Sequence, residues 1–493
     1  MNPLFLIDFY KVGHVSQYPE DTTQIWSNWT PRSTRIEGAT SVVFFGLQYF
    51  IKEILLKEWN ENFFRVPLPK LLTEYQDLIK ATLGVDNPKT DHIEALWNAG
   101  FLPLDIYALP EGTNVPLRVP MLVVTNTLPE FYWLPNYFET ILSNILWKPC
   151  TSATTAQRYR KIFTKYALEA GEKDLSFIDW QGHDFSFRGT SGREDAILSG
   201  MGHLLSFSGT DTVPAIVAAN EYYNAGLTVG GSVPATEHSV MCAGSQEREL
   251  DTFYHLITKV YPTGIVSIVS DTWDLWKVLI DYIPALKDII LARDGKVVIR
   301  PDSGDPVKIL CGDQNFKAGQ TTTAAQEGVL RLLVHAMGTV PRTDGGLPMI
   351  NKAGAIYGDS ITPDRAEEIL SQVVRKLKLS PFNVVFGIGS FTYEYTTRDA
   401  YGFAMKATAI RRGGKIYDIF KKPVTDNGEK NSLRGIPAVY YAPHPFGVPT
   451  DSLLYVVDGQ KPEALDNCAF RKVFSNGELL INENFDIIRR RVR

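Results

Sequence analysis

The sequence predicts an α/β protein built on a (β/α) barrel, with a mixed α+β lobe at its flank. The chain has 493 residues, more than one ordinary domain needs, and its 44% apolar and 12% aromatic residues can bury a large core. From about residue 180, short β-branched or aromatic runs repeatedly end in glycine, serine or aspartate, and helical patterns follow several of them. This strand-to-helix rhythm is typical of parallel α/β folds.

The first part of the chain, residues 1–145, predicts an N-terminal α+β lobe. The run "SVVFFGLQYFIKEILLKEW" (41–59) begins as an apolar strand and turns at Gly46, after which apolar residues recur at helical spacing. A second helix is predicted over 132–147. The aromatic residues of both segments favour core packing over ligand contact.

Seven strand ends in the next region predict the barrel, to which we assign residues 146–398. They lie in the segments 183–195, 204–223, 231–240, 264–279, 296–310, 355–370 and 383–395. In a barrel every strand end opens onto one face, whereas an open doubly wound sheet uses only the loops at its switch point. Polar residues after all seven strands therefore favour the barrel, and the open sheet is the alternative.

The last part of the chain, residues 399–493, departs from this rhythm. Basic, turn-rich strands such as "ATAIRRGGKIYDIFKKPV" (407–424) replace the strand-to-helix pattern. We expect this C-terminal strand-rich segment to pack back on the N-terminal lobe.

Composition excludes several classes of function. The net charge is −5 and the longest basic run is the terminal "RRRVR" (489–493), so we expect no nucleic-acid partner. Asp8 interrupts the N-terminal apolar run, and no apolar stretch reaches the roughly 18 residues of a membrane helix, so we expect no signal peptide and no membrane partner. The four cysteines are far apart and form no CxxC pair, which indicates a cytoplasmic protein without a disulfide framework.

Three of the predicted loops combine residue types that suit a phosphorylated sugar. They are "RPDSGDP" (300–306), "YGDS" (357–360) and "GIGS" (387–390). An arginine such as Arg300 and the glycines before Ser390 suit phosphate, whereas Asp302 and Asp359 suit ribose hydroxyls or hydrated Mg²⁺. A third glycine after "GIGS" and a GxxxxGK[ST] motif are both absent, which disfavours a dinucleotide and a P-loop nucleotide.

One histidine, His238, stands out near these loops in "GSVPATEHSV" (231–240). Asp271, at the neighbouring strand end, is placed to hold one ring nitrogen and leave the other free. No GxSxG elbow accompanies the pair, which disfavours a serine hydrolase. General base catalysis and acceptance of a phosphoryl group remain as the two alternatives.

Several motifs together resemble the nicotinamide phosphoribosyltransferase family. They are "DFYKVGH" (8–14), "SGTDT" (208–212), "GSVPATEHS" (231–239) and "RPDSG" (300–304). The resemblance implies an irregular α/β barrel of the type II phosphoribosyltransferase kind and a homodimer whose active sites are shared between subunits. It also implies transfer of phosphoribosyl from phosphoribosyl pyrophosphate to nicotinamide in NAD salvage, with Mg²⁺, and with ATP hydrolysis coupled through a phosphohistidine at His238.

The resemblance also implies roles for individual residues. Phe185 and Tyr10 of the partner subunit would sandwich the pyridine ring, Asp211 would accept a hydrogen bond from the carboxamide, and Ser267 would lie near the ring. The phosphoribosyl-binding set would be Arg300, Asp302, Gly358, Asp359, Gly389, Ser390 and Arg398 of the partner subunit. The set around pyrophosphate and its Mg²⁺ would be Arg32, Arg188, His238, Arg300, Lys406 and Lys421. His238, Asp271 and Asp302 would form the catalytic group.

Two of these assignments carry open questions. Ser390 stands where the family commonly has a further glycine, so the serine hydroxyl would replace part of the backbone contact with phosphate. From the residues alone, Asp211 suits a helix N-cap before "VPAIVAAN" equally well. If it is instead a buried aspartate in the ring site, it would favour the amide of nicotinamide over the carboxylate of nicotinate through like-charge repulsion.

Three other functions remain as alternatives. Nicotinate phosphoribosyltransferase would use the same chemistry with an acid substrate. A non-catalytic binding or signalling protein could retain the fold. An aldolase or isomerase with a phosphosugar-binding barrel is the third, and it is disfavoured because no lysine sits at a strand end in the acidic loops.

Overall fold

The computed structural model describes residues 1–313, 322–343, 345–425, 431–442 and 454–493. The chain forms two compact units. Each unit is built from segments that are separate in the sequence. The barrel unit comprises Thr155–Val217 and Gly226–Tyr395, and the flanking unit comprises Met1–Thr154, Ala218–Ala225 and Thr396–Arg493. The domain boundaries at 145 and 398 stay predictions. Within the described ranges no helix is both long and apolar enough to cross a bilayer.

A six-stranded, all-parallel sheet forms the centre of the barrel unit. Its strands are β1 (Gly182–Asp184), β2 (Gly209–Thr210), β3 (Gly264–Val269), β4 (Gly295–Arg300), β5 (Ala353–Tyr357) and β6 (Val384–Ile388). They pair in the order β2-β1-β6-β5-β4-β3. The longest ladder joins β3 to β4 from Gly264 opposite Gly295 to Val269 opposite Arg300.

An irregular segment, residues 231–236, joins the two edges of this sheet. On one side Gly231 bridges Gly209 of β2, and on the other Ala235 bridges Ser267 of β3, both in parallel orientation. The Thr236 N–H donates to the Ser267 carbonyl (3.0 Å), and the Gly231 N–H donates to the Ser208 carbonyl (2.9 Å). The wall is therefore a ring of six strands and one irregular segment, and the predicted irregular α/β barrel is confirmed.

All seven predicted strand ends belong to this ring. The strands are short and rich in buried apolar residues such as Val266, Ile268, Ile299 and Phe386, which are fully enclosed. That pattern is expected where a parallel sheet is covered on both faces. The helices of the unit with six or more residues are Arg193–Leu204, His238–Ala243, Glu249–His255, Lys287–Ala292, Pro306–Cys311, Ala324–Met337 and Pro363–Arg375. Helix Val213–Tyr223 begins in this unit and ends in the other.

A seven-stranded antiparallel sheet forms the centre of the flanking unit. Its strands lie in the order Lys415–Asp418, Phe403–Arg412, Thr22–Pro31, Leu122–Asn126, Leu104–Ala108, Arg471–Ser475 and Glu478–Leu479. Three N-terminal strands therefore lie in the middle of the sheet, with two C-terminal strands on each side. The hairpin between its first two strands turns at Gly413 and Gly414, both of which have positive φ (50° and 79°). Glycine suits such a turn because residues with a Cβ rarely adopt positive φ.

The α-helices of the flanking unit with eight or more residues are Leu68–Leu83, Asp91–Ala99, Glu139–Glu169 and Phe485–Val492. The first 16 residues of Glu139–Glu169, through Thr154, belong to this unit. Short pairs of strands complete the structure: Ser41–Val43 with Asn114–Pro116, Ile436–Tyr441 with Leu454–Gln460, and, in the barrel unit, Thr339–Val340 with Met349–Ile350.

The prediction for residues 41–59 is confirmed. A strand ends at Val43, Gly46 takes a left-handed conformation (φ 105°), and helical turns run from Leu47 through the wider turns of Phe50–Glu58. The carboxylate of Glu111 accepts the N–H groups of Gly46 and Leu47 at the start of this helix. Glu111 is buried (6% exposed), and this burial raises the pKa of its carboxyl to about 7.

Candidate active site

The carboxyl-terminal edge of the ring gathers the predicted site residues of the barrel unit. One or more of them follows each strand or segment, because parallel strands end at the same edge. In chain order these are Phe185 and Arg188 after β1, Asp211 after β2, His238 after segment 231–236, Asp271 after β3, Asp302 after β4, Gly358 and Asp359 after β5, and Gly389 and Ser390 after β6. Arg300 is the last residue of β4, and Ser267 lies within β3.

A cavity of about 400 Å³ lies within this unit. Its lining includes Phe185, Asp211 and Arg300 at the carboxyl ends of strands, and also Ile265 and Lys296 near their amino ends. The cavity therefore extends along the inside of the ring. Its volume falls in the range of small-molecule sites, and its lining is mostly apolar with a few polar groups, as is usual for such sites.

The aromatic ring of Phe185 lies directly against the backbone of two glycines. A Cβ on Gly358 would come within 3.0 Å of the Phe185 ring, and one on Gly387 would collide with it. The Phe185 N–H donates to the carbonyl of Ile388 (3.0 Å), which fixes its backbone to β6. The guanidinium of Arg300 makes a cation–π contact with the Phe185 ring, with 5.5 Å between its central carbon and the ring centroid. Phe185 is thus held as one flat wall of the cavity.

Gly387 therefore has a different role from the one expected for "GIGS". We predicted that both glycines of this loop open the backbone to an anion. Gly387 lies inside β6 and makes room for Phe185, so this part of the prediction is wrong for Gly387. Gly389 directly precedes the short helix Ser390–Tyr393 and remains available for the expected role.

Asp211 lines the cavity, and its N–H donates to the carbonyl of Asp184 (3.0 Å). Its side chain is exposed in the single chain, so the expectation that it is buried is wrong here. The reason is local: β2 is only two residues long, and the chain leaves the wall at Asp211 before helix Val213–Tyr223. In the described part of the chain the carboxylate accepts no hydrogen bond, which leaves the helix-cap alternative without support.

Two polar residues on the cavity wall beside Asp211 are buried. Burial lowers the pKa of His183 to about 4, although the Asp211 carboxylate opposes this shift, so His183 is neutral at neutral pH. Ser267 is 3% exposed, and its hydroxyl has no hydrogen-bond partner among the described residues. Because buried hydroxyls are nearly always paired, this one is suited to a polar group of a ligand.

A chain of polar contacts links His238 to Arg300 across β3 and β4. His238 Nε2 lies 3.4 Å from Asp271 Oδ1. The other oxygen of Asp271 accepts the Asp302 N–H (2.8 Å) and the Ser303 hydroxyl (2.6 Å). Asp302 in turn pairs with Arg300, with 3.1 Å between Asp302 Oδ2 and Arg300 Nη2. The predicted catalytic group is thus brought together in one network.

Carboxylates surround Tyr357, the last residue of β5. Its hydroxyl donates to the carbonyl of Gly304 (2.9 Å). Burial raises the pKa of Tyr357 well above its ordinary value, and the nearby carboxylates of Asp359, Asp302, Asp271 and Asp305 raise it further.

Across the described ranges no three Asp, Glu, His or Cys side chains meet in an arrangement that holds a metal ion.

Two further predicted residues lie at the ends of β1 and β6. Arg188 is in the short turn Phe187–Gly189, and its exposed guanidinium has no partner among the residues that the structure describes. A Cβ on Gly189 would collide with the Ser390 hydroxyl, so these two loops touch. The turn that carries Arg188 therefore touches the Ser390 hydroxyl at the start of a helical turn, and these residue types suit a phosphate group.

The remaining predicted residues lie in the flanking unit. Tyr10 is 61% exposed, and its hydroxyl donates to Asp8 (3.1 Å). Arg398 pairs with Asp399 (2.9 Å). The Lys421 side chain is exposed, and its backbone pairs with Ser432.

Arg32 and Lys406 line one cavity of about 220 Å³ in the flanking unit. Burial lowers the pKa of Lys406, which lies 3.6 Å from Glu139. Arg118 lines the same cavity and was not predicted, because a single arginine between two prolines in "VPLRVP" gives no motif. Three cations thus surround this cavity.

Comparison with known proteins identifies the family. Residues 2–59 match the model of the nicotinamide phosphoribosyltransferase N-terminal domain, and residues 180–478 match that of the nicotinate phosphoribosyltransferase (NAPRTase) family. The chain is 46% identical to a nicotinamide phosphoribosyltransferase of Acinetobacter baylyi, across 100% of this chain and 97% of that protein. The chain belongs to the nicotinamide phosphoribosyltransferase family. The resemblance seen in the sequence motifs is confirmed, and the protein is an enzyme of the phosphoribosyltransferase class.

A more distant relative and a solved structure support this family and its fold. A nicotinamide phosphoribosyltransferase of Mycoplasma pneumoniae is 36% identical, across 88% of this chain and 94% of that protein. The crystal structure of human nicotinic acid phosphoribosyltransferase superimposes with a TM-score of 0.59 at 16% identity, covering 98% of this chain and 92% of that one. This structural likeness shows the type II phosphoribosyltransferase fold.

Proposed function

We propose that this protein transfers the phosphoribosyl group of phosphoribosyl pyrophosphate to nicotinamide, giving nicotinamide mononucleotide and pyrophosphate. One observation carries the proposal: the barrel cavity offers an apolar slot for a flat ring, and arginine, aspartate and glycine–serine backbone follow the strands at the carboxyl edge of the same wall. An aromatic ring fits the slot, and a phosphorylated sugar fits the rim. The names of the relatives support nicotinamide as the ring.

In the slot, Phe185 would stack on the pyridine ring, with Tyr10 of the partner subunit on its other face. Offset stacking suits an electron-poor heterocycle. The Asp211 carboxylate would accept the amide N–H₂, and the unpaired Ser267 hydroxyl would donate to the amide oxygen. Neutral His183 adds no positive charge beside Asp211, so a nicotinate carboxylate would meet repulsion without compensation.

On the rim, Asp302 and Asp359 would bind the ribose hydroxyls, while Gly358 leaves the backbone open beside them. Gly389, Ser390 and Arg398 of the partner subunit would hold the 5′-phosphate. The pyridine nitrogen then forms a bond to C1 of the sugar as the bond from C1 to pyrophosphate breaks. The positive charge passes from the sugar to the pyridinium, and both electrons of the broken bond leave with pyrophosphate.

Cations would stabilise the departing pyrophosphate. Arg188 and Arg300 lie in the barrel unit, and Arg32, Lys406 and Lys421 in the flanking unit. The rim carboxylates and the pyrophosphate oxygens are the hard donors that Mg²⁺ prefers, and bound Mg²⁺ would supply further neutralisation of that charge. Charge stabilisation and alignment would carry catalysis, without a covalent bond between sugar and protein.

We further propose that His238 accepts the γ-phosphoryl group of ATP. Nε2 of the ring faces Asp271 Oδ1 at 3.4 Å, an oxygen that has no hydrogen-bond partner among the described residues, so the other ring nitrogen would be the one to attack phosphorus. An N–P bond forms, the bond from the γ-phosphorus to the ADP oxygen breaks, and ADP leaves with that electron pair. His238 is 50% exposed, which gives a nucleotide access. The phosphohistidine would tighten substrate binding and then be hydrolysed.

The assembly and the compartment are also proposals. A homodimer would bring Tyr10 and Arg398 of the partner subunit to each barrel site. All four cysteines are free thiols, and Cys150 and Cys311 are buried. Unpaired thiols support a cytoplasmic location.

A product assay tests the proposed function. Purified protein receives labelled phosphoribosyl pyrophosphate with nicotinamide or nicotinate, with and without ATP. We expect nicotinamide mononucleotide as the main product and faster turnover with ATP. Equal or better use of nicotinate would favour nicotinate phosphoribosyltransferase, the family whose model matches residues 180–478. No product with either pyridine would favour a binding protein.

A further inference from the structure

Asp184, the last residue of β1, is a fully buried carboxylate beside the candidate site. It is 0% exposed. Its Oδ2 atom has no hydrogen-bond partner, and no lysine or arginine pairs with it in the described part of the chain. Burying a carboxylate without a cation is costly, and such costs concentrate where function requires them.

The hydrogen bonds of Asp184 reach both sides of the ring slot. Its Oδ1 accepts the N–H (2.9 Å) and the hydroxyl (2.6 Å) of Ser186, which fixes the chain on either side of Phe185. Its carbonyl accepts the N–H of Asp211 (3.0 Å). One residue therefore anchors the backbone of the stacking ring and the backbone of the amide acceptor.

The surrounding structure makes room for this anchor. Gly200, in helix Arg193–Leu204, faces the carboxylate: a Cβ there would lie 3.2 Å from Asp184 Oδ2 and 2.6 Å from the Cβ of Ala215. Asp184 also sits between two ladders, opposite Thr210 on β2 and Ile388 on β6. The anchor is thus fixed on every side, as a preorganised site requires.

We propose that Asp184 is a positioning residue that sets the distance between Phe185 and Asp211, and hence the fit of the pyridine substrate. This inference rests on the proposed function. A shift of about 1 Å between two substrate contacts can cost up to about a hundredfold in activity. Loss of the anchor should therefore act mainly on the pyridine, because most contacts proposed for the phosphoribosyl substrate come from β4, β5 and β6, and Arg188 is the one that follows β1.

The test measures the KM for nicotinamide and for phosphoribosyl pyrophosphate separately in four proteins. Asp184→Ala removes the side-chain bonds to Ser186 and keeps the carbonyl bond to Asp211, so Phe185 is released relative to Asp211. For this variant we expect the nicotinamide KM to rise about tenfold or more, with the phosphoribosyl pyrophosphate KM within about twofold of wild type. Asp184→Asn keeps an acceptor oxygen for Ser186 and should recover most of the nicotinamide affinity. Glu249→Ala is the matched control, because Glu249 is also buried (2% exposed) with an unpaired oxygen, but it does not line the cavity.

Ser186→Ala keeps the inference testable if Asp184→Ala does not fold. It removes only the hydroxyl bond to Asp184, and we expect a rise of about threefold in the nicotinamide KM. An unchanged nicotinamide KM in Ser186→Ala or folded Asp184→Ala would overturn the inference. So would an equal rise in both KM values, or an Asp184→Asn protein as impaired as Asp184→Ala. Absence of product with the wild-type protein would instead refute the proposed function.

Discussion

The imidazole of His238 faces the carboxylate of Asp271, with 3.4 Å between His238 Nε2 and Asp271 Oδ1. The second oxygen of Asp271 is already occupied by the Asp302 N–H and the Ser303 hydroxyl. The carboxylate therefore cannot rotate freely, and the ring nitrogen of His238 that faces away from the acid is Nδ1. This arrangement gives the first prediction its physical basis.

Removing either partner should uncouple the reaction from ATP. In His238→Ala no phosphoryl acceptor remains, so we expect ATP to give no stimulation while slow transfer continues. Asp271→Asn keeps the size of the side chain but loses its charge, and we expect about 10- to 100-fold less stimulation by ATP. Initial rates with and without ATP measure both effects. Stimulation of His238→Ala equal to that of the wild type would refute the phosphohistidine.

Replacing Asp211 should weaken the discrimination between the two pyridines. Asp211→Asn keeps an acceptor oxygen for the amide and removes the repulsion of nicotinate. Because the side chain is exposed in the single chain, solvent screens part of that repulsion, and we expect the preference to fall by about tenfold. The ratio of kcat/KM values for nicotinamide and nicotinate measures the effect. An unchanged ratio would show that Asp211 does not read the amide.

A methyl group at Gly387 should damage the ring slot. In Gly387→Ala the new Cβ collides with the Phe185 ring, which must move, so we expect the nicotinamide KM to rise by about tenfold or more. Gly192→Ala is the matched control: its φ of 172° suits any residue, and nothing lies within 4 Å of the added Cβ. Normal nicotinamide binding in Gly387→Ala would contradict the placement of Phe185.

The buried Glu111 should make the flanking unit less stable as pH rises. The pKa of its carboxyl is about 7 in the folded protein, above the ordinary value of 4.5. Between these values the folded state binds the proton more tightly than the unfolded state, so stability is full below about pH 4.5 and falls until about pH 7. The shift corresponds to roughly 3 kcal/mol at most.

Glu111→Gln tests this prediction, because glutamine does not titrate. Thermal unfolding of the two proteins at pH 5 and pH 8 should show a larger drop in Tm for the wild type than for the variant. The hydrogen bonds from Leu47 and the Tyr223 hydroxyl can persist with a glutamine oxygen. Equal pH dependence in both proteins would mean that Glu111 stays ionised, or stays protonated, throughout this range.

The barrel could be predicted because its signals are local. Each strand end can be recognised in the sequence as an apolar run followed by a polar residue or glycine, such as Asp302. Parallel strands then bring these ends to one edge of the sheet. The role of Gly387 could not be predicted, because it depends on Phe185, which is about 200 residues away in the sequence. The exposure of Asp211 depends on the length of β2, and two residues give no periodicity. Asp184 had no motif to mark it, because its role depends on contacts with Ser186, Asp211 and Gly200 in the folded chain.

The same limit applies to the flanking unit. Its sheet pairs Thr22–Pro31 with Phe403–Arg412, so each strand is defined by a partner nearly 400 residues distant in the chain. Arg32 and Lys406 were singled out through a family resemblance, and Arg118 had no motif to mark it. The pairing of those strands brings Arg32 and Lys406 to one cavity, and the Arg118 N–H, which donates to the carbonyl of Pro31, places the third cation beside them.

One part of the barrel wall, segment 231–236, is not a regular strand, and His238 follows it closely in the chain. Segment 231–236 carries isolated bridges to its neighbours instead of a regular ladder. A stretch held by so few backbone bonds opens at a lower free energy than a regular strand. Its amides should therefore exchange with deuterium sooner than those of Val266 or Ile299 in the same wall. We expect a phosphoryl group on His238 to be accommodated by movement of this segment, while the rest of the wall, with the ring slot, keeps its strand pairing.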